Sequence, residues 1–299
     1  MRTNFKGIIP AMATPFKPDQ SIDEDRCAAL VEWYIESGVH GISVAGSQGE
    51  FFSLNEEEHI RLIEIITGCV RGRVPVYAGT GRITTRETIR LTRAAEKIGI
   101  DAAMIITPFF IQPSQDELVT HFCAVARETK LPILLYNNPP RTGSNILPAT
   151  LVRCMNHAGN IVGVKDSSGD VTQSLEYKIK TEQRAFLFSG RDTIALALFV
   201  HGAEGTISPA ANVFPRLLVK MYDAFRSGDL VIARKISDVL APLREAWAWG
   251  SFPVVIKEAM AIAGQSAGEA RRPIEPLSAA RRSDLSDVVM KIQEAELSF

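Results

Sequence analysis

The sequence predicts a (β/α)8 barrel followed by a small helical extension. Eight short apolar runs alternate with amphipathic segments, and their starts lie about 20 to 35 residues apart, the spacing of a strand plus a crossover helix. The runs are apolar throughout rather than alternating, as in a parallel sheet that is covered on both faces. The predicted strands are Gly7–Met12, Gly41–Ala45, Val74–Ala78, Ala102–Ile106, Ile133–Tyr136, Ile161–Lys165, Phe186–Ser189 and Gly205–Ser208.

The segments between these strands carry helical patterns. Asn55 is a good N-cap for one of them, and the acidic residues 56–58 fill its first turn, where negative charge suits the helix dipole. Each segment ends near Gly or Pro. The predicted helices are Ile22–Ser37, Leu54–Val70, Thr84–Ile98, Gln115–Thr129 and Leu147–His157.

Four further helical segments follow the last predicted strand, which is more than one closing barrel helix requires. They are Val213–Arg226, Leu230–Ala248, Pro253–Ala263 and Ser278–Glu296. We therefore predict a barrel that carries the active site over residues 1–225 and a helical extension packed on it over residues 226–299. An open doubly wound sheet is the competing architecture, but no Gly-x-Gly-x-x-Gly follows the first strand.

Composition excludes several classes of function. The 299 residues include 33 basic and 34 acidic side chains, a balance that predicts no nucleic-acid or membrane partner. No apolar run reaches the roughly 18 residues that span a bilayer, and the polar N-terminus does not resemble a signal peptide, so we expect a cytoplasmic protein. The four cysteines form no Cys-x-x-Cys pair and the five histidines share no ligand spacing, so no metal site is predicted.

In such a barrel, chemistry is expected at the C-terminal ends of the strands. Lys165 ends the sixth predicted strand, where its side chain would reach the barrel mouth. A Schiff base forms from a neutral amine, and although a lysine in water has a pKa near 10.4, an apolar mouth favours the neutral form. Two alternatives remain open, since a lysine at this position also reaches solvent or pairs with Asp166.

Tyr136 ends the neighbouring fifth strand, close enough for its hydroxyl to approach the Lys165 amine and transfer protons. A core tyrosine with a satisfied hydroxyl is the alternative. Arg141 lies in the loop that follows, where a guanidinium is able to hold a carboxylate through two parallel hydrogen bonds.

Two further loops supply candidate binding groups. Glycines in the turn Gly46–Glu50, after strand two, allow backbone N–H groups and the Ser47 hydroxyl to approach an anion, although an ordinary loop also fits. Arg191, just after strand seven, is a second candidate for an acidic substrate. Its alternative is a surface arginine paired with Asp192.

Together these segments resemble a known family, the class I pyruvate-dependent lyases related to dihydrodipicolinate synthase and N-acetylneuraminate lyase. The resemblance spans nearly the whole chain in matching order. The motifs that carry it are Ala13-Thr14-Pro15, Gly46–Glu50, Ala78-Gly79-Thr80-Gly81, Thr107-Pro108-Phe109-Phe110, Tyr136–Gly143, Gly163-Val164-Lys165-Asp166 and Gly205-Thr206-Ile207-Ser208.

The resemblance implies a homo-oligomer, commonly a tetramer or otherwise a dimer, that needs no metal or organic cofactor. It implies that Lys165 condenses with a small 2-oxo acid such as pyruvate, that Tyr136 is the general acid/base, and that an aldehyde is the second substrate. The turn residues Gly46, Ser47 and Gln48 would hold the pyruvate carboxylate, and Ile207 would line the bound pyruvate.

Some positions depart from the family pattern. Dihydrodipicolinate synthases have a tyrosine that reaches a neighbouring subunit's active site, and the aligned residue here is Phe110, which transfers no proton. In those synthases this tyrosine completes a proton relay of tyrosine, threonine and tyrosine. Ser47 stands in place of the relay threonine and would take its catalytic role, and Gln48 replaces the next threonine. The Arg141 segment is closer to the synthase pattern, whereas Glu50–Leu54 is similar to sugar-acid dehydratases.

Several functions are therefore open. They are dihydrodipicolinate synthesis from pyruvate and aspartate semialdehyde, an aldolase or dehydratase reaction on a 2-oxo-3-deoxy sugar acid or a 4-hydroxy-2-oxo acid, non-catalytic binding of a 2-oxo acid, and a phosphate-binding barrel enzyme. The turns after strands seven and eight lack a glycine-rich phosphate grip, which weighs against the last.

Overall fold

A computed structural model describes residues 5–299 of the chain, and within them eight parallel strands form one sheet. Each predicted strand is present, with bounds that differ from the prediction by no more than one or two residues. The strands are β1 Gly7–Pro10, β2 Ile42–Val44, β3 Val76–Gly79, β4 Ala102–Ile106, β5 Ile133–Asn137, β6 Ile161–Asp166, β7 Phe186–Ser189 and β8 Gly205–Ser208.

The sheet closes on itself. Its strand order runs β1-β8-β7-β6-β5-β4-β3-β2, so only β1 and β2 remain to be joined. A parallel bridge between Ala11 and Ser43 joins them, and the Met12 N–H donates to the Ser43 carbonyl at 2.9 Å. This closure confirms the (β/α)8 barrel and contradicts the open doubly wound sheet.

Helices alternate with the strands and then continue beyond them. They are α1 Glu24–Glu36, α2 Glu56–Val70, α3 Thr85–Ile98, α4 Gln115–Arg127, α5 Pro139–Thr142, α6 Pro148–His157, α7 Val171–Lys180, α8 Asp192–Val200, α9 Pro215–Ser227, α10 Leu230–Glu245, α11 Val254–Ile262 and α12 Ala279–Glu296. Asn55 caps α2 as predicted, because its side chain accepts from the Glu58 N–H at 2.8 Å while the Glu58 carboxylate accepts from the Asn55 N–H. The short helix α5 was not predicted.

One predicted helix of the extension changes its winding before its predicted end. The segment predicted over Leu230–Ala248 is α-helical only to Glu245 and continues as a 3-10 turn over Ala246–Trp249. Trp247 lies in this 3-10 turn and lines the cavity described below.

The hydrophobic core has two parts. One fills the barrel interior and includes Ile9, Tyr77, Leu134 and Phe188. The other lies between the strands and the surrounding helices, and buried residues of the extension such as Ile256 belong to it. Helix α9 packs on β1 and α10 packs on α8 and α9. The division at residue 225 therefore stays a prediction, since one core crosses it.

None of the helices in residues 5–299 combines the length and the apolar character that crossing a bilayer requires.

Candidate active site

Lys165 and Tyr136 are direct neighbours across the β5–β6 pairing, at the C-terminal ends of their strands. The Lys165 side chain is 4% exposed and that of Tyr136 is 5% exposed. The Lys165 Nζ lies over the face of the tyrosine ring, 4.1 Å from the ring centroid. The register thus brings the predicted nucleophile and the predicted acid/base into contact.

Asp166 does not neutralise Lys165. Its carboxylate accepts hydrogen bonds from the side chains of Asn137, Ser168 and Ser174 at 2.7–2.9 Å and from the Ser168 N–H at 3.1 Å. Within residues 5–299, no carboxylate forms an ion pair with Lys165. Both alternative interpretations of this lysine, exposure to solvent and pairing with Asp166, are therefore wrong.

The other two buried lysines of the described chain are ion-paired. Lys178 is 3% exposed and Lys257 is 2% exposed, and each has a carboxylate partner, Glu204 at 2.8 Å and Glu50 at 2.7 Å respectively. Among the buried lysines of the described chain, Lys165 alone lacks such a partner. The absence of a carboxylate partner leaves the charged form of Lys165 without a stabilising ion pair, which suits a lysine that must lose its proton before it adds to a carbonyl group.

The Tyr136 hydroxyl belongs to a polar cluster. Burial by itself raises the pKa of Tyr136, but the Lys165 ammonium, together with hydrogen bonds to Ser47, Ser167 and Asn138, outweighs burial and lowers the pKa below its usual value near 10. The Asn138 amide donates to the hydroxyl at 2.9 Å. The phenol is thus tuned to exchange a proton with a neighbouring group.

The turn after β2 presents free donors. Ala45 and Glu50, at its two ends, have left-handed backbone conformations with φ of 52° and 56°. The Glu50 N–H donates to the Ser47 carbonyl at 3.1 Å, whereas the N–H groups of Ser47 and Gln48 have no acceptor among residues 5–299. Two adjacent unpaired N–H groups next to a serine hydroxyl form a grip for a carboxylate.

Gln48 has an unsatisfied side chain. It is 2% exposed, and neither its amide nitrogen nor its amide oxygen has a hydrogen-bond partner within the described chain. Because a buried amide without partners is costly, a bound molecule with a polar oxygen or a water is needed to satisfy it.

The candidate site is a cavity of about 160 Å³ at the C-terminal mouth of the barrel. Its size suits a small metabolite rather than a polymer. Of the residues predicted for the site, the cavity brings together Ser47, Gln48, Tyr136, Arg141, Lys165 and Arg191. A larger groove of about 990 Å³ lies between α2 and α3, but it contains none of these residues.

Two of the predicted site residues do not line this cavity. Gly46 lies in the same turn as Ser47 but faces Met104, 3.4 Å from where a side chain would begin. Ile207 is fully buried in the barrel interior together with Tyr136. The contacts of both residues with bound pyruvate stay predictions.

Arg191 does not pair with Asp192, so that alternative interpretation is wrong. The Asp192 carboxylate accepts instead from the Ser208 hydroxyl and from the Ala210 N–H at 3.3 Å. The Arg191 Nε donates to the Ser167 carbonyl at 3.0 Å, which orients the guanidinium toward the cavity. Gly190 leaves room for Ser167, because a Cβ at position 190 would lie 1.9 Å from the Ser167 hydroxyl and would displace that side chain.

Sequence reasoning missed several residues that line the cavity. Ser167 and Asn138, which tune Tyr136, follow their strands directly and were open to prediction from that position. Arg244, Trp247 and Phe252 come from the extension, and no motif marks them.

The cysteines of the described chain are not activated nucleophiles. All four cysteines are unpaired, and burial raises the pKa of Cys27 and of Cys154 to about 12, which keeps these thiols protonated. No group of three or more His, Cys, Asp or Glu side chains is arranged to hold a metal ion within residues 5–299.

A buried unpaired lysine beside a tuned tyrosine, at the mouth of a (β/α)8 barrel, defines the class of lysine Schiff-base lyases. The comparisons with known proteins agree. The model of the dihydrodipicolinate synthetase family matches residues 4–292, and the chain belongs to that family. It is accordingly a class I enzyme of the pyruvate-dependent kind.

Individual relatives cover almost the full chain. The 4-hydroxy-tetrahydrodipicolinate synthase of Methanoculleus marisnigri is 41% identical over 96% of this chain and 99% of its own. The 4-hydroxy-tetrahydrodipicolinate synthase of Thermodesulfovibrio yellowstonii is 39% identical over 95% of this chain and 97% of its own. Among solved structures, one similar structure is that of YagE, a prophage protein of the same family from E. coli K12 in complex with pyruvate. It is 31% identical to this chain, with a TM-score of 0.93, and the match covers 97% of this chain and 99% of YagE.

Proposed function

We propose that this enzyme joins pyruvate to a small acidic aldehyde through a Schiff base on Lys165. The observation that carries the proposal is the buried Lys165 amine, which lies against Tyr136 without a counter-ion and in one cavity with Ser47 and Arg141. Relatives named as 4-hydroxy-tetrahydrodipicolinate synthases support the same chemistry.

The chemistry proceeds through addition and loss of water. The Lys165 amine adds to the ketone carbon of pyruvate, and Tyr136 passes the protons that let the carbinolamine lose water to form the imine. The protonated imine withdraws electrons, so the methyl carbon loses a proton and becomes an enamine nucleophile. That carbon attacks the aldehyde, and water then releases the product and restores the lysine. The lysine imine is the electron sink, so the proposal requires no metal or organic cofactor.

The first candidate reaction is 4-hydroxy-tetrahydrodipicolinate synthesis from pyruvate and aspartate semialdehyde. Arg141 supports it, because its guanidinium lines the cavity, stacks on Phe252 at 4.7 Å and has no carboxylate partner in the described chain. A carboxylate on the aldehyde would provide that partner.

A second candidate is an aldolase or dehydratase reaction on a 2-oxo-3-deoxy sugar acid or a 4-hydroxy-2-oxo acid. Gln48 favours it, since its unsatisfied amide offers a donor and an acceptor to a substrate hydroxyl. Phe110 favours it as well, because it has no hydroxyl to extend a proton relay.

A substrate panel separates the two candidates. Purified enzyme with pyruvate and aspartate semialdehyde is assayed for pyruvate consumption, and with 2-oxo-3-deoxy sugar acids for pyruvate release or water loss. We expect turnover with at least one of these two groups of substrates. Lys165→Met and Tyr136→Phe should each abolish this turnover. Saturable binding of 2-oxo acids without turnover on any panel would instead indicate a non-catalytic binding protein.

The same proposal includes a homo-oligomer, a tetramer or a dimer, in the cytoplasm. The Phe110 side chain is 94% exposed in the single chain and has a left-handed φ of 73°. A large apolar side chain in a strained, exposed position suits a contact with a second copy. The free cysteines suit a reducing compartment.

A further inference from the structure

The groove between α2 and α3 lies on the outer wall of the barrel, apart from the catalytic cavity, and encloses about 990 Å³. Its lining recurs every three or four residues along one face of each helix, from Ile60 to Arg71 on the α2 side and from Arg86 to Lys97 on the α3 side. At 1.5 Å per residue each side is about 16 Å long, or three helical turns. The groove thus has the length of a short helix rather than of a metabolite.

Basic side chains dominate the edges of this groove. Five of its lining residues are basic and only Glu64 is acidic, although the whole chain carries a formal net charge of −1. Two of the five, both on α3, pair with carboxylates. Arg71, Arg86 and Lys97 are exposed and have no carboxylate partner within residues 5–299. The groove therefore presents three uncompensated cations to a ligand.

These three cations lie too far apart for one small anion. Arg86 is in the first turn of α3 and Lys97 is in its last turn, so about 16 Å of helix separates them. Arg71 directly follows α2. Because the helices of a (β/α)8 barrel run parallel to one another, Arg71 lies at the same end of the groove as Lys97. A ligand that neutralises all three cations must therefore extend along the whole groove.

The floor of the groove is apolar. Ile60, Ile89 and Ile98 line it and are half-buried. Gly68 lines it as well, and apart from its chain neighbours and the backbone of its own helix, no atom lies within 4 Å of the place that a Cβ would take. Packing within the described chain therefore does not require a glycine there, although glycine destabilises a helix interior relative to alanine. The bare backbone leaves space for an apolar side chain from outside.

We propose that this groove binds an amphipathic helix of a partner protein, with acidic side chains along the edges of its apolar face. A groove between two helices is the shape that a third helix fills. The apolar side chains of the partner pack on the isoleucines and over Gly68. Its carboxylates pair with Arg86 at one end of the groove and with Arg71 and Lys97 at the other. A nucleic acid fits less well, since its phosphates would leave the isoleucine floor uncovered.

A defined peptide tests this surface on the full-length protein. A fluorescent, hydrocarbon-stapled helical peptide of about 16 residues, with leucine every three or four positions and glutamate beside them, is titrated by fluorescence anisotropy. Two control peptides carry the same staple, one with the same composition in scrambled order and one with lysine in place of every glutamate. The acidic amphipathic peptide should bind with a Kd at least about 10-fold lower than either control. Equal binding of the scrambled peptide would overturn the proposal.

Two groove variants separate shape from charge. Gly68→Leu fills the open space and keeps the charge, whereas Arg86→Glu combined with Lys97→Glu reverses two cations and keeps the floor. Each should weaken binding of the acidic peptide by about 10-fold or more. Arg234→Glu combined with Lys235→Glu is the matched control, because these exposed residues of α10 lie outside the groove and give the same change in net charge. It should bind the peptide as the wild type does.

The remaining outcomes concern folding and other occupants. Each variant should keep the wild-type circular dichroism spectrum, and if one groove variant does not fold, the other decides. Binding that survives the groove variants, or that the control pair weakens equally, would overturn the proposal. So would a lower sedimenting mass of Arg86→Glu with Lys97→Glu, which would show a second copy of the chain in the groove. Duplex DNA that binds more tightly than the peptide at about 0.15 M salt would indicate a nucleic-acid surface and overturn it as well.

Discussion

At the scale of single residues, the proposed chemistry depends on the interaction between Lys165 and Tyr136. Neither residue alone points to catalysis, since a strand-end lysine and a buried tyrosine are common in proteins. Their proximity changes this, because the Lys165 cation, 4.1 Å from the centroid of the Tyr136 ring, helps to outweigh burial and lowers the pKa of the phenol.

This coupling predicts that one tyrosine titrates apart from the rest. Burial raises the pKa of Tyr34, Tyr77, Tyr177 and Tyr222, whereas the pKa of Tyr136 is lowered. As the pH rises, the first tyrosinate absorbance should therefore come from Tyr136, and Tyr136→Phe should abolish this first phase.

Lys165→Met tests the direction in which the lysine shifts the pKa of Tyr136. Removal of the cation leaves burial as the dominant influence, so the pKa of Tyr136 should rise and its absorbance change should move to higher pH. A titration of Tyr136 that is unchanged in Lys165→Met would show that the lysine does not tune the phenol.

At the scale of elements, the turn at residues 46–50 is anchored by the extension. Glu50, at the end of the turn, is fully buried and pairs with Lys257 of α11 at 2.7 Å, and the Arg271 N–H donates to its other oxygen at 2.9 Å. The extension thereby holds both the turn that is proposed to bind pyruvate and, through Arg244, another part of the cavity wall.

Breaking this buried pair should destabilise the whole protein. Lys257→Met leaves the Glu50 charge buried without its partner and should lower the free energy of unfolding by about 3–5 kcal/mol in urea titrations. Lys257→Met combined with Glu50→Gln should cost less than the two single changes added together, because no charge is then left unpaired.

An exposed pair gives the control. Arg61 and Glu24 are 2.7 Å apart and about half exposed, so Arg61→Met should change the free energy of unfolding by less than about 1 kcal/mol. A loss of that small size for Lys257→Met would contradict the anchoring role of the pair.

The sequence predicts the barrel side of the site well and the extension side poorly. Lys165, Tyr136, Ser47 and Arg191 lie at or just after strands, and in a closed parallel barrel that position brings them to one face. Arg244, by contrast, reaches the cavity only because α10 packs back across α8 and α9. No local pattern encodes that packing, nor the change to a 3-10 turn that presents Trp247.

At the scale of the whole molecule, the exposed Phe110 is the feature that a single chain leaves unexplained. A left-handed backbone at a phenylalanine costs about 1–3 kcal/mol. The side chain is 94% exposed, so contacts within one chain do not offset this cost. Burial in a second copy would account for both.

Sedimentation tests this association. One chain has a mass of 32.8 kDa, and the wild-type protein should sediment at a multiple of this mass. Phe110→Asp should shift the distribution toward the single-chain mass, because a charge then replaces a ring that is buried between subunits. Leu297, near the C-terminus, is similarly exposed at 90%, and Leu297→Asp should leave the sedimenting mass of the wild-type assembly unchanged. A wild-type protein that sediments as a monomer would contradict the expected oligomer.

The central claim is that Lys165 is the amine that forms the imine with pyruvate. Incubation with pyruvate and borohydride, followed by peptide mass analysis, tests it most directly. The account predicts one reduced pyruvyl adduct per chain, on Lys165, and none in Lys165→Met, while the buried but ion-paired Lys178 and Lys257 stay unmodified. An absent adduct, or one that forms on another lysine, would contradict it.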